Sequence, residues 1–288
     1  RFLGREFMAD LNKLVFWVAL PALIFVGVAQ IGHAGEQTLK LIGILSITTV
    51  SLLVLGWIAG KLLKLPPAGV GTLAQAAFRG NLAYIGIPVL AYAFAALPHA
   101  NRDIEMATAL LVMTTMTAIF NVLAVIALQG AQHKLDADSA AMAVRNLVTN
   151  PLIIACVAGL AFTLTGLKLP VFLSRSLETL GASSVPVALL CIGGSLATVS
   201  MRGRRAAILT AAVLKVFAAP LIAWLLCWLL GISGPDTRIA LVLAACPTAV
   251  ASFVMAEKLS GDEALASGSI ALSTVLSAVS LALVLYVS

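Results

Sequence analysis

The sequence predicts an all-α integral membrane protein, a 5+5 inverted repeat of which nine of an expected ten spans are present. Three observations predict it. Hydrophobic residues make up 61% of the 288-residue chain, charged residues only 10%, and mean hydropathy is +1.08, far above the level of a soluble domain. Apolar runs of membrane length recur along the chain, each matching the roughly 20 helical residues that cross about 30 Å of hydrocarbon. Two of these runs are interrupted at corresponding places, by Gly80-Asn81-Leu82-Ala83-Tyr84-Ile85-Gly86-Ile87-Pro88 and by Ala245-Cys246-Pro247-Thr248-Ala249.

In order, spans are expected near 14–31, 39–60, 70–97, 105–129, 147–167, 182–200, 206–230, 237–257 and 264–287. Continuous runs, rather than short alternating segments, exclude a membrane β-barrel. Gly and Pro inside two runs free backbone N–H and C=O groups that lipid cannot satisfy, so the interruptions belong where they face protein or a water-filled cavity. One such interruption in each half points to a transporter.

The halves are related by order. Pro21-Ala-Leu-Ile-Phe-Val-Gly-Val-Ala is similar to Pro186-Val-Ala-Leu-Leu-Cys-Ile-Gly-Gly, and each lies two spans before an interrupted run. Asn150-Pro151 opens a span 35 positions before Pro186, which places its first-half counterpart upstream of Arg1. Residues 1–129 are therefore read as a first repeat lacking its first helix, 130–146 as a linker, and 147–288 as the second repeat. An odd number of helices per repeat inverts the halves in the membrane.

With the loop Met201-Arg202-Gly203-Arg204-Arg205 in the cytoplasm, eleven Lys and Arg residues fall inside and five outside. This positive-inside bias makes 130–146 cytoplasmic, puts the C-terminus outside, and fits the inner (plasma) membrane. The net charge of +6 is thus a matter of topology and implies no nucleic-acid partner. Cys156, Cys191, Cys227 and Cys246 sit in apolar runs with no paired spacing, so neither a disulfide framework nor a metal site is expected. No cofactor is expected.

Two cations remain. Arg79 and Lys215 each lie nine residues into a span from its cytoplasmic end, roughly 13 Å deep at 1.5 Å per residue. All twelve acidic residues fall in loops or span ends, so no carboxylate within a span can pair with them. One reading is an electropositive cavity for an anion. The other is local: Arg79 against the carbonyl end of its own half-helix, Lys215 snorkelling to the cytoplasmic interface.

Leu11-Asn12-Lys13-Leu14-Val15-Phe16 with Ala19-Leu20-Pro21, Asn81 through Pro88, Asn150-Pro151, and Pro247 through Glu257 together resemble the auxin efflux carrier family, which includes plant PIN-type carriers and bacterial malonate or malate permeases. The resemblance spans nearly the whole chain. It implies a ten-helix transporter whose fourth and ninth helices break and cross at the membrane centre. Carried onto this sequence, the crossover is Asn81 to Pro88, with Tyr84 and Gly86, against Pro247 to Ser252. Half-helix N-termini meeting there would direct unpaired N–H groups at a carboxylate. Asn81 and Thr248 either bond the solute or satisfy freed backbone groups. Asn121 and Thr274, on the helices after each crossover, are further candidates. Asn150-Pro151 reads as an N-cap with Pro at the first helical position.

The expected function is secondary transport of a small organic anion by alternating access, the substrate being a carboxylate such as a dicarboxylate or an auxin-like acid. The partners are the lipid bilayer and that anion, with Na⁺ or H⁺ left open as coupling ion and a homodimer as the assembly usual for this architecture. A proton relay on a buried carboxylate has no residue to serve it. The alternatives are an anion channel or an intramembrane enzyme; the chain has no His-Glu-x-x-His and no Asp pair within a span, and His33, His99 and His133 lie in loops, which argues against catalysis.

Overall fold

Prolines shape the helices of this protein. In the computed structural model, residues 5–31, 35–95, 97–132, 137–188, 190 and 204–287 are described. They form α1 (Arg5–Leu14), α2 (Leu20–Ile31), α3 (Glu36–Leu62), α4 (Pro67–Phe78), α5 (Ile87–Ala93), α6 (His99–Ala131), α7 (Ala137–Val148), α8 (Pro151–Leu164), α9 (Val171–Ala182), α10 (Arg205–Val213), α11 (Ala219–Leu229), α12 (Pro235–Ala245), α13 (Ala251–Lys258) and α14 (Glu263–Val287). Among the described residues there is no strand.

Among the described residues three single π turns occur, at Val15–Ala19, Leu82–Gly86 and Leu214–Ala218. Each leads directly into a helix whose second residue is proline: Pro21, Pro88 or Pro220. The cause is local. A proline ring has no N–H to give and crowds the carbonyl four residues earlier, so the preceding turn widens. At Pro220 that carbonyl is Val216 O, and the hydroxyl of Ser280 on α14 donates to it instead. Ser280→Ala is expected to lower stability by ~1–3 kcal/mol, the cost of a buried acceptor left unpaired; an unaltered melting temperature in detergent would remove this role.

Among the described residues, five helices are long and apolar enough to cross a membrane: Asp10–Ala29, Glu36–Leu62, Asn101–Ala131, Arg205–Leu229 and Glu263–Val287. Leu82–Ala93 and Pro151–Leu164 are apolar but shorter. The expected spans 70–97 and 237–257 are each divided, because helical bonding stops at Phe78 and at Ala245. The span expected at 182–200 lies mostly outside the described residues. Three helices go unanticipated by the hydropathy pattern: α1, which precedes the first expected span, α7, which overlaps the linker, and α9, whose Ser174, Arg175 and Glu178 dilute the apolar signal that Phe172 and Leu173 carry.

The described chain divides into two units. Unit 1 comprises residues 1–39, 83–115 and 147–198. There α2 packs against α8 and α9, which small residues allow: a Cβ on Gly159 would meet Phe25 O at 3.0 Å, and one on Gly181 would meet Leu23 Cα at 2.8 Å. Asn150 caps α8 through a bond from Leu152 N to its side chain at 2.9 Å, with Pro151 at the first helical position.

Unit 2 comprises residues 40–82, 116–146 and 199–288. Its core includes Leu73 and Ala76 of α4, Ala207, Ile208 and Ala211 of α10, and Leu265 of α14. Alanine and glycine at these contacts let helices approach closely, which is how association is achieved where lipid offers no hydrophobic contrast.

Candidate substrate site

In unit 2, α4 ends at Phe78 and Arg79 turns into extended backbone, φ −76° and ψ 97°. Residues 246–250 likewise leave the helical path after α12. The two segments pair: Gly80 and Thr248 form an isolated antiparallel bridge, with Asn81 N donating to Pro247 O at 2.8 Å and Ala249 N donating to Arg79 O at 2.9 Å. Lipid cannot satisfy these groups, so each segment supplies the other's partners.

This corrects one sequence expectation. The amides of Asn81, Thr248 and Ala249 are not left unpaired for a solute; Thr248 N donates to Ser273 Oγ at 3.0 Å, and the other two are taken by the bridge. Thr248 Oγ1 donates to Ala76 O at 2.8 Å, replacing a bond that the end of α4 has lost. Thr248 thus has the structural role. Ser273 was missed, although Ser269, Ser273, Ser277 and Ser280 recur along α14 at near-helical spacing.

The two cations sit beside this bridge, and neither follows the local reading made from sequence. Arg79 is 6% exposed and reaches α6 rather than its own helix end: Nη2 donates to Asn121 Oδ1 at 2.7 Å and Nη1 to Phe120 O at 3.5 Å. Lys215 is 2% exposed, so it does not snorkel. The π turn at Leu214–Ala218 turns it inward, where Nζ donates to Ala244 O in the last turn of α12. There the ammonium meets the negative end of a helix dipole. A Cβ on Gly80 would lie 3.2 Å from Lys215 Cε, which fixes the lysine against the bridge. Among the described residues, no carboxylate forms an ion pair with either cation.

A small cavity borders Lys215, lined by Thr48, Thr49, Phe78, Met116 and Phe120 among others. It has room for about one water molecule, which is less than a carboxylate solute needs. Thr48 and Thr49 turn their hydroxyls back to Ile44 O and Leu45 O, and among the described residues the lysine is the one charged group on its wall.

The remaining candidates separate. Asn81 and Ser252 lie in unit 2 and are 9% and 1% exposed. Pro247 contributes its carbonyl to the bridge. Thr274 donates to Ile270 O within its own helix at 2.6 Å. Tyr84, Gly86 and Pro88 belong to unit 1, where Tyr84 Oη donates to Asn12 O at 3.2 Å and Gly86 and Pro88 open α5.

A nearly all-helical chain with five membrane-length apolar helices among its described residues has the build of an integral membrane protein. The chain belongs to the membrane transport protein family, that of the auxin efflux carriers, whose family model matches residues 1–285. It is similar to an uncharacterized transporter of Methanocaldococcus jannaschii, 23% identical over 98% of this chain and 90% of that protein. An uncharacterized transporter of Methanothermobacter thermautotrophicus is 26% identical over 98% of this chain and 89% of its own. A Rhizobium meliloti protein named "Putative malonate transporter" is 28% identical over 98% of this chain and 87% of its own. The family and these relatives are transporters, not enzymes.

Proposed function

We propose that the protein is a secondary transporter of a small organic anion, a dicarboxylate of the malonate class, working by alternating access at the paired segments 79–82 and 246–252. The observation that carries this reading is the pair of buried cations, Arg79 and Lys215, flanking the Gly80–Thr248 bridge with only neutral oxygens as partners. A cation inside a membrane span costs at least ~2.5–3.5 kcal/mol on insertion scales. Carbonyl and amide oxygens offset part of that cost, and a carboxylate entering beside them would offset more. The likeness to a protein named for malonate supports the substrate class.

In this reading the two interruptions belong to inverted repeats, 1–129 and 147–288, and the protein works in the inner membrane with 130–146 cytoplasmic. Arg79, Lys215 and Asn81 face the anion, while Asn121 orients Arg79. Arg79→Gln keeps a donor for Asn121 and removes the charge. It is expected to weaken malonate binding by about tenfold or more, since charge-assisted bonds are roughly twice as strong as neutral ones. Counterflow in proteoliposomes against a panel of mono- and dicarboxylates checks this. Saturable exchange of no carboxylate in the wild-type protein, beside a working control carrier, overturns the assignment.

A further inference from the structure

A second set of polar side chains in unit 2 extends from the end of the segment 246–252 to residues that the arrangement above does not use. Gln75 of α4, Ser252 of α13 and Ser269 of α14 are 0%, 1% and 0% exposed. Neither amide atom of Gln75 and neither hydroxyl has a hydrogen-bond partner among the described residues. Buried polar groups are nearly always partnered, and in a membrane interior there is no bulk water to relieve the exceptions.

Contacts of neighbouring residues bracket the three along their helices. On one side, Thr72 Oγ1 accepts from Asp262 N at 2.8 Å, and a Cβ on Gly261 would touch both Thr72 and Ala256. On the other, Thr248 joins Ala76 O to Ser273 Oγ. Gln75 lies between Thr72 and Ala76 on α4, Ser252 between Thr248 and Ala256, and Ser269 between Asp262 and Ser273 on α14. The three helices pack against one another here.

We propose that Gln75 Oε1, Ser252 Oγ and Ser269 Oγ form a site for a sodium ion. The donors are hard, neutral oxygens with no carboxylate or thiolate, which suits a monovalent cation and neither a divalent nor a soft metal. The carbonyl end of α4, one turn away, adds negative potential. The close approach of α4, α13 and α14 suits a bare ion better than a carboxylate. Arg79 follows Gln75 by one turn, so its charge opposes the ion until an anion at the crossover offsets it. Ion and anion then bind cooperatively, and by linkage each raises the other's affinity equally. This coupling rests on the reading of Arg79 and Lys215 as the anion site; the ion site itself does not.

The test uses the purified full-length protein, with melting temperature and radioactive sodium binding measured in NaCl, KCl and choline chloride at equal ionic strength, first without malonate. Sodium alone is expected to raise the melting temperature. Ser252→Ala and Ser269→Ala are expected to lower sodium affinity, and Gln75→Glu, which adds a carboxylate at nearly constant shape, to raise it by about tenfold. Equal melting in the three salts overturns the site, as does a sodium response that all three variants leave unchanged. Repeating the titration with malonate should tighten sodium about tenfold, within the usual range of coupling. Sodium binding that is sensitive to Gln75 but indifferent to every carboxylate supports the ion site and counts against the anion reading.

Discussion

Lys215→Met is expected to cut transport at least about tenfold while leaving the fold standing. Two effects on stability oppose each other. Removing the ammonium leaves Ala244 O without a donor, at ~1–3 kcal/mol, and takes a counter-charge from the end of α12. The same change relieves the cost of holding a charge within the membrane, ~2.5–3.5 kcal/mol on insertion scales. These nearly cancel, as when buried charges elsewhere are replaced by apolar side chains of similar volume. Transport has no such compensation: without Lys215 the bridge loses its second positive charge, and the wall of the adjoining cavity becomes neutral. Anion uptake should fall at least about tenfold, the melting temperature should move by only a few degrees, and Lys215→Arg should keep most of the activity. Undiminished uptake by the methionine variant would show that the lysine only secures the end of α12.

Gly71→Ala is expected to produce the converse, a damaged fold with no change in the chemistry of the site. A Cβ at Gly71 would lie 2.5 Å from Ala127 O and 2.9 Å from Leu128 Cα, both backbone of α6. Backbone cannot swing aside as a side-chain tip does, so α4 and α6 must separate. Overpacking of this kind costs ~1–3 kcal/mol. Gly43 of α3 supplies the control, because a Cβ there meets nothing within 4 Å, and alanine at that position should stabilise the helix by roughly 0.5–1 kcal/mol. Melting curves of the two variants in one detergent decide the matter; parallel shifts would mean that the tight approach of α4 to α6 is not limiting.

The class of molecule and the location of the interruptions were legible in the sequence because both are written in covalent terms. Hydropathy marks the spans, and Gly80 and Pro247 mark where helical bonding must stop. That Arg79 and Lys215 stand inside apolar runs followed from counting residues. Their partners did not follow, since Asn121 lies 42 positions from Arg79 and Ala244 lies 29 from Lys215, and a backbone carbonyl has no signature in a sequence. For the same reason the amides of the interrupted segments looked available when Asn81 N and Ala249 N were already taken across the bridge and Thr248 N by Ser273. Gln75 was visible as a polar residue one turn before Arg79 in an apolar run, but only its burial without a partner gives it meaning. Helix α9 escaped notice because its polar and apolar residues alternate by face, which averages out along the chain.

The widened turn before Pro220 has a bearing on how this molecule tolerates change. A π turn holds one residue more than an α turn, so straightening it, as Pro220→Ala would encourage, slips the helix register by one position, roughly 100° of rotation. Everything upstream of the ring would then point elsewhere, and Lys215 would swing from the interior toward the flank. An imino acid five residues along the chain therefore acts as the rotational index of a charge it never touches.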